Sequence, residues 1–271
     1  MNEQIIDTKT LDGKRLYYSF LAGAQRIFDN QGHLNKINVF PVRDADTGTN
    51  LASTMRSIVD TIIPTDTFSN TANALADAAL VGARGNSGII FAQFLYGFSS
   101  SFKNEATIDV AKFSDGISNG VAQSYEAISN PVEGTMITVL REWAEGIQAL
   151  KDKFDDFNLL ITESYQSAKE SLANAPKLLE VLAKANVVDA GAKGFVVFLE
   201  GMIDFFKHGE LKKILGARNV LKVQGFDGTH EHENANFRYC TEAMLISEHI
   251  EREKLRSKIE HFGDSLVLAG S

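Results

Sequence analysis

Two carboxylates stand two residues apart in the run Arg43-Asp44-Ala45-Asp46-Thr47-Gly48-Thr49-Asn50, and a segment of helical periodicity opens directly behind them. Hard oxygen ligands beside a helix N-terminus suit Mg²⁺, which takes one or two carboxylates and fills its other positions with water and phosphate oxygens. The amides of Thr47, Gly48, Thr49 and Asn50 would face such phosphates at the positive end of the helix dipole. The same residue types also make an Asx turn and a helix cap, so both readings stand at this point. Calcium of the EF-hand type does not fit: counted from Asp44, the sixth residue is Thr49 instead of Gly and the twelfth is Met55 instead of Glu.

Three further runs carry polar or glycine chemistry. Gly82-Ala83-Arg84-Gly85-Asn86-Ser87-Gly88 spaces its glycines by three, which lets backbone amides approach a phosphate, with Asn86 and Ser87 as added donors. It lacks the Gly-Lys-Ser/Thr of a Walker loop, and on its own a plain glycine-rich helix–helix turn is the preferred reading of it. Pro131-Val132-Glu133-Gly134-Thr135-Met136 leads into an apolar helix, with Met136 read on its own as core. In Val188-Asp189-Ala190-Gly191, Asp189 reads as a cap on the helix that follows.

Helices must position these loops. Apolar residues recur every three or four positions through most of the first 207 residues, as in Leu16, Phe20, Leu21, Ala24 and Ile27, or Met136, Val139, Leu140, Trp143 and Ile147. Pro41, Pro64, Pro131 and Pro176 are read as falling between such segments. The expected fold is all-α: an antiparallel barrel or bundle of about eight helices over residues 1–208, with a short helix after Pro176 and a last one over 189–207. Residues 209–236 read as a linker ending in His230-Glu231-His232-Glu233. Residues 237–271 read as strand, helix and strand, too little to bury a core alone. The chain is therefore expected to stop inside a truncated α/β second domain.

The formal net charge of −8 disfavours a nucleic-acid backbone as partner, and 44% hydrophobic residues are enough for a sizeable core. A single cysteine, Cys240, excludes an intrachain disulfide. The absence of a leader-like N-terminus or a membrane-length apolar run completes the expectation of a soluble cytoplasmic protein.

The four runs, in this order and together with Leu34-Asn35-Lys36-Ile37-Asn38-Val39-Phe40-Pro41-Val42, resemble the DhaL-type kinase domain. The wording is most similar to the catalytic subunit of fatty acid kinases, and Phe237-Arg238-Tyr239-Cys240-Thr241-Glu242 resembles the opening of that subunit's middle domain. The resemblance implies an antiparallel helical barrel that binds ATP or ADP at one rim with two Mg²⁺ ions. Asp44 and Asp46 match the metal pair, and Asn38 falls, offset by one residue, where dihydroxyacetone kinase subunits carry a third acidic ligand. Thr47, Gly48, Thr49, Asn50, Asn86, Ser87 and Gly88 match phosphate-binding turns. Thr135, Met136, Asp189 and Gly191 match nucleotide contacts. Arg84 is a candidate for stabilising transition-state charge or a partner in a structural ion pair.

The implied reaction moves the γ-phosphoryl of ATP to a fatty acid carboxylate delivered by a separate fatty-acid-binding carrier protein. A carboxylate is ionised near neutral pH, and no histidine lies in the four loops, so no general base is called for. Nucleotide binding is expected of this chain, with little transfer to carrier-bound lipid because the docking part lies elsewhere. The alternatives are the nucleotide-binding component of a dihydroxyacetone-type kinase and a nucleotide-sensing scaffold. The family also implies a homodimer and a middle-domain zinc held by a cysteine, here Cys240, with later histidines expected beyond residue 271; for His230 and His232 a solvated loop is the preferred reading. Arg43 and Ala45 depart from the Pro and Gly of close relatives. If residue 45 needs positive φ, Ala there would be strained by roughly 1–2 kcal/mol.

Overall fold

The protein was analysed as a computed structural model that describes residues 8–208, 250–263 and 266–268, with single positions at 241, 243 and 245. A two-residue strand, β1 (Leu11–Asp12), pairs antiparallel with β2 (Thr107–Ile108) and leads into α1 (Gly13–Lys36). There follow α2 (Thr47–Thr61), α3 (Phe68–Gly82), α4 (Gly85–Ser100), α5 (Val110–Ala127), α6 (Met136–Leu150), α7 (Phe157–Leu178), the short α8 (Glu180–Ala185) and α9 (Ala190–His208). Each long helix packs on the next in order, α7 packs on α9, and α9 returns to α1. Eight helices therefore close a ring, the barrel that the apolar periodicity predicts.

Helix starts are written in short polar side chains. Asp12, Asp109 and Asp156 each accept the amide three residues on, from Arg15, Lys112 and Leu159, at 2.7, 2.8 and 3.1 Å. Inside the ring the core is aromatic. Phe20 and Phe91 both meet Phe198 at ring distances of 5.1 Å, Trp143 meets Phe195 at 5.3 Å, and Phe113 meets Phe157 at 5.4 Å, all near edge-to-face. α9 is apolar nearly all round and packs on α1, α2, α6 and α7, as a helix buried on several sides must.

Pro176 corrects one expectation. It lies inside the last turn of α7 instead of between helices, and the helix ends two residues later. A proline there forfeits one amide and disturbs the turn before it, which a helix tolerates close to its end. Beyond the barrel, α10 (Arg252–Ile259) runs into a 3₁₀ turn (Glu260–Phe262). Val267 bridges antiparallel to Ile128, fastened by Ser129 N to Leu266 O at 3.3 Å and Leu268 N to Ala127 O at 3.0 Å. The expected linker over 209–236 and the residues Cys240, His230 and His232 lie outside the described residues. Among the described residues, no helix is long and apolar enough to cross a membrane.

Candidate nucleotide site

The four runs singled out in the sequence each precede a helix N-terminus: α2, α4, α6 and α9. In an up-and-down ring these four ends share one rim, so four positive dipole ends lie on the same side of the barrel. The contacts show how closely they meet. Arg84 N donates to Thr54 Oγ1 at 3.1 Å, tying the start of α4 to α2. Gly85 has φ +60, and a Cβ there would lie 2.4 Å from Asn50 Nδ2. On the other side, a Cβ on Gly191 would lie 2.5 Å from Ser87 Oγ and 3.4 Å from Met136 Cβ. Positive φ and the Asn50 contact together call for glycine at Gly85, whereas a side chain at Gly191 would make the Ser87 hydroxyl turn away.

Asp44 and Asp46 sit side by side on this rim. Burial and the neighbouring Asp44 charge push the Asp46 carboxyl up to about 6, against the pull of the Asn50 side chain. Asp46 occupies the N-cap position of α2 yet makes no capping bond. The cap reading left open by the residue types therefore does not describe its side chain. Asn38, 3% exposed, donates through Nδ2 to Asp44 Oδ1 and so holds that carboxylate. No group of three or more His, Cys, Asp or Glu that could enclose a metal occurs among the described residues. Two carboxylates and an amide, all oxygen donors, on an open rim fit a hard cation whose remaining ligands come from water and a bound phosphate.

Ala45, between the two carboxylates, has φ +54. The strain foreseen for a non-glycine residue is thus present. Ala45→Gly should raise stability by about 0.5–1 kcal/mol, the αL cost of alanine less the extra freedom of an unfolded glycine. Urea midpoints at constant slope measure this, and an unchanged or lower midpoint would contradict it.

Thr49 turns toward α1: its Oγ1 accepts from Asn35 Nδ2 at 2.9 Å and Gln31 Nε2 at 3.3 Å. Arg84 is exposed, and its Nη1 donates to Ala83 O at 2.7 Å; no carboxylate among the described residues pairs with it. Thr135 is the N-cap of α6, and its hydroxyl donates to Val132 O. The loop before it is braced by Arg141, which reaches Glu133 at 2.9 Å, while Glu133 accepts from Thr138 at 2.9 Å. Sequence reasoning missed Thr54, Asn35 and Arg141. Only Asn35 gave a signal, as a poor helix former in the last turn of a helix.

Asp189 caps α9 through Ala192 N at 2.7 Å and also faces the amides of Met136 and Gly191. Burial outweighs these donors and pushes its carboxyl up to about 6 from 3.8. The folded chain then holds this proton more tightly than the unfolded chain. Its contribution is fully present below about pH 4 and is lost as pH rises through about 6, on the order of 2–3 kcal/mol in all. Asp189→Asn, which keeps a capping oxygen, should flatten the pH dependence of stability between about pH 4 and 7 relative to wild type. Denaturation across that range decides it, and parallel curves would contradict the assignment.

The ring thus carries the starts of α2, α4, α6 and α9 on one rim, with a carboxylate pair just ahead of α2. Its family follows from comparison with known proteins: residues 41–204 match the DAK2 domain, and the chain belongs to that family. Residues 236–271 match a FakA-like middle domain, of the fatty acid kinase type. Protein YloV of Bacillus subtilis is 35% identical over 96% of this chain and 49% of its own length. An uncharacterised protein of Staphylococcus saprophyticus is 32% identical over 95% of this chain and 49% of its own. The chain thus spans about half the length of these relatives. The dihydroxyacetone kinase of C. freundii shares the fold, with a TM-score of 0.53 at 16% identity over 75% of this chain and 36% of that one. A second structure of that enzyme, in complex with AMP-PNP and Mg²⁺, matches at the same TM-score and 14% identity.

Proposed function

We propose that this chain binds Mg²⁺–ATP where the four loops meet, and forms the nucleotide-binding part of a kinase that phosphorylates a fatty acid carboxylate presented by a separate carrier protein. The observation that carries the reading is the chain of contacts that joins the starts of α2, α4, α9 and α6 on one rim, with the Asp44–Asp46 pair at the α2 end of it. The AMP-PNP and Mg²⁺ bound by the C. freundii enzyme on the same fold support the ligand, and the match to a fatty acid kinase middle domain supports the acceptor.

Asp44 and Asp46 would hold Mg²⁺, with Asn38 keeping Asp44 in place. The metal, when bound, neutralises charge on the phosphate oxygens. The amides of Thr47 and Gly48 and those at the start of α4 bind the triphosphate and stabilise charge that develops during transfer, the largest task in phosphoryl transfer, while the Thr49 amide stays with Asn35. Thr135, Met136, Asp189 and Gly191 would close the opposite side over the nucleotide, and Arg84, exposed at the start of α4, would supply positive charge to the transferring group. An ionised carboxylate acceptor attacks without losing a proton, so the site works without a base. The reading places the protein in the cytoplasm, with self-association through parts beyond the kinase domain.

A short-chain acyl phosphate needs no carrier and tests the acceptor directly. With Mg²⁺–ADP, its phosphoryl transfer to ADP by this chain should yield ATP. Phosphorylation of dihydroxyacetone with no ATP from acyl phosphate would move the protein to the other kinase class. Nucleotide binding without transfer to or from either acceptor would favour a sensing scaffold.

A further inference from the structure

We infer that Asn35, on α1, is a positioning residue that frees the Asp46 carboxylate for the cation of the site proposed above. Asp is a strong helix-capping residue, accepting the amide two or three positions on. In this chain Asp12, Asp109, Asp156 and Asp189 all accept the amide at i+3. Asp46 is also followed directly by a helix, but does not. The amide it would take, Thr49 N, is already held by Asn35 Oδ1 at 3.0 Å.

The backbone agrees. Asp12, Asp109 and Asp156 have extended capping conformations, with ψ of 176, 177 and 123, whereas Asp46 has ψ −9. The orientation of the Asn35 amide is fixed by its partners, because the oxygen must face the Thr49 N–H and the nitrogen then donates to Thr49 Oγ1 at 2.9 Å. One side chain from α1 thus caps α2 from outside. The aspartate that would otherwise cap it stays beside Asp44, with Asn50 as its partner.

The two positions of Asp46 compete. With Asn35 gone, the vacant Thr49 amide draws Asp46 into the capping conformation. A cap is worth about 1 kcal/mol, so only a minor fraction of molecules keeps the carboxylate at the metal position. The apparent affinity falls by the same fraction.

The test joins calorimetry and crystallography. Asn35→Ala should weaken Mg²⁺-dependent ATP binding about five- to ten-fold. Its ligand-free crystal structure should show the Asp46 carboxylate on Thr49 N. Asn35→Asp, which keeps the capping oxygen, should restore both, a rescue that lost packing would not give. If Asn35→Ala does not fold, Asn35→Ser, too short to reach the amide, takes its place. Wild-type affinity in the variant, or Asp46 still beside Asp44 in its ligand-free structure, would overturn the inference. A wild-type chain with no Mg²⁺-dependent ATP binding would overturn the function proposed above instead. The position of Asp46 in the ligand-free variant then still decides the role of Asn35.

Discussion

Asp44→Ala/Asp46→Ala is expected to lower Mg²⁺-dependent ATP affinity by at least about 100-fold, while Asp46→Ala alone leaves the metal-free protein as stable as wild type, or slightly more so. The loss follows from removing both carboxylates of an all-oxygen site that offers Mg²⁺ little else from the protein. The retained stability follows from what the pair costs. Burial and the Asp44 charge together raise the Asp46 carboxyl to about 6, the mark of a group held in an unfavourable setting when no cation is present. Asp46 caps nothing, so its removal forfeits no cap. A helix-cap role predicts the reverse pattern: a stability loss of about 1 kcal/mol and unchanged nucleotide binding. Calorimetric titration of ATP with and without Mg²⁺, beside urea denaturation without metal, separates the two.

Trp143→Ala should destabilise the fold by about 3–5 kcal/mol, the range for emptying a large aromatic site in a packed core. Trp143 is 2% exposed, meets Phe195 at 5.3 Å and Phe94 at 6.4 Å, and donates its indole N–H to Ser164 Oγ at 3.2 Å. It stands on α6 and Phe195 on α9, the two helices whose N-termini bring Met136 and Gly191 together at the site. Nucleotide affinity should therefore fall along with stability. Trp143→Phe retains ring packing and loses the hydrogen bond, so its cost should be about 1–2 kcal/mol, part hydrogen bond and part lost volume. A midpoint for Trp143→Ala within about 1 kcal/mol of wild type would contradict this account of the core.

The ring of helices was legible because its signal is periodic and local: apolar residues at three- and four-residue spacing, with Asp at several starts. The site was legible as four loops, but their meeting was not. Periodicity gives a helix its buried face, not its neighbour around the ring, and only the order of the four motifs through a family resemblance joined them. The strain at Ala45 was foreseen as a condition, because alanine pays for positive φ wherever it occurs. The partners of Asn35 and Asp189 on other helices show what stays hidden. Each side chain acts on a backbone amide of another helix, Thr49 on α2 and Met136 on α6, and a pairing across helices leaves no spacing pattern in the chain. Pro176 misled for a related reason. Proline breaks a helix interior, yet near a C-terminus the neighbouring contacts decide where the helix ends.

The central claim is that one rim of this barrel holds a metal–nucleotide between the Asp44–Asp46 pair and the starts of α2 and α4. Its most direct test is a crystal structure of the chain grown with AMP-PNP and Mn²⁺, with the metal located by anomalous scattering. The account predicts Mn²⁺ bound to the carboxylates of Asp44 and Asp46, and the triphosphate lying along the Thr47–Asn50 and Asn86–Gly88 turns. Metal bound away from both aspartates, or nucleotide away from this rim, would contradict it.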